Sequence, residues 1–298
     1  MISYIIKRIA KTMKASTKKD IQTFFNSLPK KLFLRKDLYQ ILNQNYLSWK
    51  IQKSVNKFIN LLKEMQLKEI TLTSSYNDKN LTRFVWGRDI SIYQLSLSLR
   101  PNSYFNHHTA AYLLGLTNKV SDTIYVNSEQ SPKPENQVLL EQKDIDAAFK
   151  RQQRTSKYIF RYNSCYIYCL NGINTGNLGV ITIEIPREGK LFVTNIERTL
   201  IDMAVRPIYS GGYKEVLNAY KNAKEKISIN YLIDMLNKIN YIYPYHQAIG
   251  FYLHRAGVEY SLLSKLKKFG LRYDFYLDYA MEKPKYSKEW RLHYPFDL

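Results

Sequence analysis

Between residues 49 and 86 the chain changes its hydrophobic period once, and that handover limits what it can fold into. Ile51, Val55, Phe58, Ile59, Leu62 and Met65 recur at three- and four-residue spacing, the stripe of a single helix face. The spacing predicts a helix over Trp49–Gln66. Ile70-Thr71-Leu72-Thr73 then alternates apolar and polar residues, the period of a half-buried strand. Residues 74–80, Ser-Ser-Tyr-Asn-Asp-Lys-Asn, carry turn chemistry, and Thr82–Trp86 resumes as a strand. Upstream, Ile21, Phe24, Phe25 and Leu28 mark a helix that Pro29 ends, and Leu34, Leu38, Ile41 and Leu42 mark a second, shorter one. Three helices and then a β-hairpin is the element order of a winged helix-turn-helix, expected here over residues 18–89.

Charge falls on the same region. The 298 residues carry a net +20. Residues 1–100 hold 19 Lys/Arg against 6 Asp/Glu, and residues 101–298 hold 26 against 19. A surface that basic condenses on polyanions by releasing their counterions. In a helix-turn-helix the helix after the turn presents its polar side and N-terminal part to base edges. On that reading Lys50, Lys53, Lys57 and Arg83 meet phosphates, while Gln52 and Asn56 reach bases. Lys79, at the hairpin tip, joins them as a wing contact. A solvated polar face on an ordinary helical bundle would carry the same residue types.

The remainder, residues 90–298, reads as a mixed α+β domain, as the length also favours. Strands are expected at Asp122–Val126, Tyr158–Tyr162, Cys165–Leu170, Val180–Ile185 and Lys190–Val193. Helices are expected at Ile196–Val205, Tyr213–Ala223, Asn230–Ile239, Pro244–Ala256 and Ser261–Phe269, and a last strand at Tyr273–Tyr279 before a polar tail. The two cysteines, Cys165 and Cys169, lie too far apart along one strand for a disulfide. With no second Cys pair and no spaced His cluster, neither a zinc site nor a cofactor is expected. His107 and His108 are adjacent, and on a helix they point about 100° apart. Residues 1–17 form a basic N-terminal extension, either an amphipathic helix or an arm for DNA. Its apolar residues precede its charges, the reverse of a signal peptide, and no run of about 18 apolar residues occurs. A cytoplasmic protein without a membrane partner is expected.

An enzyme needs more than charge. A metal-dependent nuclease would draw its carboxylates from Glu184, Glu188, Asp202, Asp274 and Asp278. The Asp…Glu-x-Lys pattern is missing because Pro186 follows Ile185, and neither a nucleophile elbow nor a Walker loop is present. The expectation is a non-enzymatic protein. A nuclease with a winged-helix targeting domain is the alternative.

Two blocks carry a family likeness. One is Tyr104-Phe105-Asn106-His107-His108-Thr109-Ala110-Ala111-Tyr112-Leu113-Leu114-Gly115-Leu116-Thr117, followed by Thr123-Ile124-Tyr125-Val126. The other is Val193-Thr194-Asn195-Ile196-Glu197-Arg198-Thr199-Leu200-Ile201-Asp202, followed by Arg206-Pro207 and Ser210-Gly211-Gly212. With these blocks behind a winged helix, the chain resembles the AbiEi-type antitoxins of bacterial abortive-infection (type IV) toxin–antitoxin operons. The resemblance implies a repressor that binds operator repeats in the double-stranded DNA of its own operon. It also implies an antitoxin domain over residues 90–298, a cognate nucleotidyltransferase toxin as functional partner, and a role in phage defence. Neutralisation by direct contact with the toxin is a further alternative. The 1–17 extension is longer and more basic than the family pattern. From the residues alone, Thr194 or Asn195 can cap the helix that follows, and Ser210-Gly211-Gly212 is either a tight turn or an anion-binding helix start.

Overall fold

The computed structural model describes residues 2–77, 79–134, 139–186 and 188–298, with side chains from residue 15 onward. Asp78 of the hairpin turn, part of the loop before Leu139, and the basic side chains preceding Ala15 therefore lie outside the described residues. The chain divides into two compact units, Met1–Leu95 and Ser96–Leu298, a boundary slightly beyond residue 89.

The first unit runs α1 (Ile2–Ser27), β1 (Leu32–Phe33), α2 (Arg35–Asn45), α3 (Val55–Lys63), β2 (Leu67–Ser74) and β3 (Leu81–Trp86). Residues 2–17 are no separate arm: they form one 26-residue helix with the segment expected to begin at Lys18. Ile21 and Phe25, one turn apart, are its fully buried anchors. Phe25 packs 4.8 Å from the Trp86 ring, and the Trp86 indole donates to Asn26 Oδ1 at 2.8 Å. That bond satisfies the one polar atom of a buried tryptophan. Leu38, Leu42, Phe58 and Leu62 close the core from α2 and α3. The strands form an antiparallel sheet in the order β1-β3-β2, with Phe33 opposite Phe84 and Leu67 opposite Trp86.

The helix expected over Trp49–Gln66 is shorter at both ends. Backbone bonds from Trp49 to Asn45 and from Ile51 to Tyr46 wind up a turn after α2, and Lys50 takes a left-handed φ of +52°. Ser54, extended at φ −129°, occupies the N-cap of α3. Trp49 and Ile51 still face the core, so they satisfied the apolar repeat without being helical.

After α4 (Ile92–Leu97), the second unit begins with β4 (Tyr104–Phe105), α5 (His107–Leu113), β5 (Thr123–Asn127) and α6 (Gln142–Phe149). The strands β6 (Ile159–Tyr162), β7 (Cys165–Leu170), β8 (Val180–Ile185) and β9 (Gly189–Thr194) come next. They form a mixed sheet in the order β6-β7-β5-β4-β9-β8, in which β7 with β5 and β4 with β9 run parallel. Helices α7 (Ile196–Val205), α8 (Tyr213–Ala223), α9 (Ile229–Ile239), α10 (Tyr245–Arg255) and α11 (Tyr260–Lys267) fall within two residues of their expected starts and ends. Leu200, Val216, Leu232, Met235, Ile249, Tyr252 and Leu263 interlock as their core.

The expected polar tail is ordered instead. β10 (Phe275–Tyr276), β11 (Lys285–Ser287) and β12 (Leu292–Tyr294) make a small sheet in the order β10-β12-β11. Fully buried Trp290 anchors it. The Trp290 ring lies where a Cβ on Gly250 would stand, so α10 needs glycine there. The molecule is thus α+β. Among the described residues, no helix is long and apolar enough to cross a membrane.

The two family-like blocks meet in this unit. Phe105 of β4 pairs with Val193 of β9, and α5 packs on α7. Asn195 caps α7 by accepting from the Arg198 N–H at 3.0 Å. Arg198 binds Asp202 at 2.8 Å within the helix, both side chains being buried. It also donates to the Leu178 carbonyl. Burial raises the Asp202 carboxyl, and the Arg198 charge opposes that rise. Glu197 accepts from the Ser228 N–H at 2.9 Å and so ties α7 to the start of α9. Gly211 and Gly212 both take left-handed φ in a turn that follows a short 3-10 segment.

Candidate nucleic-acid interface

Four lysines of the first unit are held by acids. Lys18, Lys30 and Lys68 pair with Glu64, Asp37 and Asp89 at 2.9, 2.7 and 2.6 Å, and Lys63 pairs with Glu69. Lys50, Lys53 and Lys57 pair with no carboxylate among the described residues. All three are exposed. They cluster on the turn before α3 and its first helical turn, where the positive end of the helix dipole adds to their field.

Local chemistry places each of them. Lys50 sits at the apex of the turn in its left-handed conformation. Lys53 lies over the Tyr46 ring, its Nζ 5.1 Å from the centroid, a cation–π contact that holds the side chain beside the turn. Lys57 donates to Gln52 Oε1 at 2.6 Å, so that pair moves together. Asn56, in the first turn of α3, accepts a hydrogen bond from Arg35 at the start of α2. Lys79 is exposed at the hairpin turn, where its N–H donates to Asn77 Oδ1 at 3.4 Å.

Arg83 departs from the expectation. It is only 5% exposed, and its guanidinium donates to the Thr82 carbonyl at 2.9 Å. The cause is the position of β3 at the centre of its sheet, where Arg83, Phe84, Val85 and Trp86 are all buried. The alternation that would turn Arg83 outward is not the pattern of a strand covered on both faces. Arg83 therefore drops out of the phosphate-contacting set.

Arg35 is the residue that sequence reasoning missed. It is the exposed first residue of α2, one turn ahead of Leu38, and in the sequence it signals only a solvated cation. Folding brings it to a groove of about 320 Å³ between α3 and the hairpin, which Asn56, Asn60, Lys63, Glu69 and Thr82 also line.

The carboxylates considered for a nuclease do not gather. Asp202 is taken by Arg198. Asp274 is taken by Arg291 at 3.0 Å and by the Tyr286 hydroxyl at 2.6 Å. Among the described residues, no three His, Cys, Asp or Glu side chains are grouped to hold a metal. Cys165 and Cys169 are free cysteines.

No family model matches the chain, and no curated protein matches it. Among solved structures it is similar to the RV2827C protein from Mycobacterium tuberculosis. The two superpose with a TM-score of 0.59 at 11% identity, over 94% of this chain and 91% of that one. At that identity the likeness is one of fold. It runs through both units, so the α+β arrangement is shared along nearly the whole chain.

Proposed function

We propose that the first unit is a winged helix-turn-helix that binds double-stranded DNA. On this reading the whole chain acts in the cytoplasm as a non-enzymatic, autorepressing antitoxin of the AbiEi type. The observation that carries the DNA reading is the segregation of charge. Lys50, Lys53 and Lys57 stand together at the turn and the start of α3, exposed and matched by no acid among the described residues, whereas Lys18, Lys30, Lys63 and Lys68 are matched. The element order α1-β1-α2-α3-β2-β3, with β1 completing the hairpin sheet, supports the same reading. In this geometry α3 enters the major groove, Lys50, Lys53 and Lys57 neutralise phosphates, and Asn56 meets a base edge. Gln52, bonded to Lys57, orients that lysine and adds a second polar contact.

The antitoxin part rests on the two blocks of the second unit, which fold against one another as one buried feature. Two experiments test the reading. Fluorescence anisotropy with labelled duplexes measures DNA binding. Lys53→Ala is expected to weaken all duplexes and to flatten the salt dependence, and Asn56→Ala to narrow the gap between preferred and random sequence. Equal loss on both duplex classes in both variants would refute the assignment. For the antitoxin role, the adjacent gene is expected to encode a nucleotidyltransferase-like toxin whose growth arrest this chain relieves on co-expression. Arrest that persists would remove the antitoxin part and leave DNA binding standing.

A further inference from the structure

We infer that Arg35 and Asn56 together read the major-groove edge of a guanine. This rests on the DNA-binding reading above and gives it a base preference. A guanidinium has N–H donors and no acceptor. The Asn56 oxygen, not its nitrogen, must therefore face Arg35, and the contact has that sense. The pair is thereby polarised: the Asn56 oxygen is turned to Arg35 and one of its two lone pairs is taken, while its Nδ2 donors and the remaining Arg35 donors are unspent by this contact. Both side chains are exposed at the mouth of the groove beside α3. The acidic acceptor lining that groove, Glu69, is itself engaged by Lys63.

A surface that offers donors selects bases that offer acceptors. Guanine presents O6 and N7 side by side, both acceptors. Adenine sets its N6 amino donor beside N7, and cytosine presents an N4 amino donor, so each would oppose a donor with a donor. Thymine offers one acceptor beside a methyl group. The array therefore favours guanine over the other three bases. Arg35 acts in two ways, as a direct donor and as the group that fixes the Asn56 amide.

The test uses the full chain and a duplex it selects from a randomised library. Each guanine of that duplex is replaced in turn by 7-deazaguanine, which lacks the N7 acceptor. One position per bound protomer is expected to weaken binding about tenfold. In Arg35→Met that penalty is expected to shrink towards none, because the direct donor and the group that fixes the Asn56 amide are both gone, and in Asn56→Ala it is expected to shrink with the loss of the amide donors. Arg35→Lys, which keeps the charge but not the fork, is expected to keep affinity for random duplex and lose the guanine penalty. Matching thermal melts show that the variants are folded, as expected for exposed side chains. A selected duplex without any 7-deazaguanine-sensitive position, or a penalty unchanged in Arg35→Met, overturns the guanine inference and leaves DNA binding intact. Binding without any preferred duplex likewise overturns the guanine inference alone, whereas no binding to any duplex overturns the DNA reading and takes this inference with it.

Discussion

Gly250 sits within α10, where the absence of a side chain makes room for the fully buried Trp290 ring. Gly250→Ala would normally favour a helix by about 1 kcal/mol. Here we predict the opposite sign, a loss of about 1–3 kcal/mol from overpacking, read from the urea midpoint. His107 makes a second residue-scale prediction. Burial, with the Arg206 and Arg198 charges adding to it, pushes its imidazole down to about 3. The folded state thus binds a proton less readily than the unfolded chain, whose histidine titrates near 6.5. Stability is then full above about pH 6.5 and falls as the pH drops towards 3, by at most about 1.4 kcal/mol per pH unit from this group. The slope of urea midpoint against pH between 7 and 5 is expected to be shallower in His107→Gln. An unchanged slope would contradict the assignment. At this scale the sequence is legible where chemistry is local. Asn195 capping α7 was visible among its neighbours, whereas the burial of Arg83 and the meeting of Arg35 with Asn56 depend on the sheet and on residues 21 positions apart.

At the scale of elements, the turn between α2 and α3 governs the candidate site. Lys50 holds a left-handed φ of +52°, which costs a non-glycine residue about 1 kcal/mol. Lys50→Gly is therefore predicted to leave the denaturation midpoint unchanged or raise it by up to about 1 kcal/mol of stability. The same change should weaken binding to every duplex through its lost charge. Lys50→Val is predicted to lower the midpoint, since a β-branched residue fits that region worst. Hydrophobic periodicity found α8 and α9 because each buries one stripe over two or more turns, whereas α7 and α10 are buried nearly all round and show as apolar runs. It overran α3 because a buried turn residue and a buried helix residue leave the same apolar signature, as Trp49 and Ile51 show. Of the C-terminal sheet only the strand expected at Tyr273–Tyr279 was legible, where β10 forms; β11 and β12 are three residues each, too short for alternation to register.

At the scale of the whole molecule, the proposed function divides with the charge. Residues 1–100 hold +13 of the net +20, and Lys50, Lys53 and Lys57 cluster there without acids to match them among the described residues. The second unit carries the family-like blocks on a core of its own, so on the proposed reading its role is separable from DNA contact. Substitutions at Lys50, Lys53 and Lys57 are predicted to spare toxin relief and abolish repression, as measured with a plasmid reporter. The most direct measurement is the salt dependence of duplex affinity for the wild type and for the Lys50→Ala, Lys53→Ala, Lys57→Ala triple variant. The account predicts that log affinity falls linearly with log salt in the wild type, and that the triple variant loses about 2–3 units of that slope. A triple variant with the wild-type slope and affinity would contradict the placement of the DNA interface at α3.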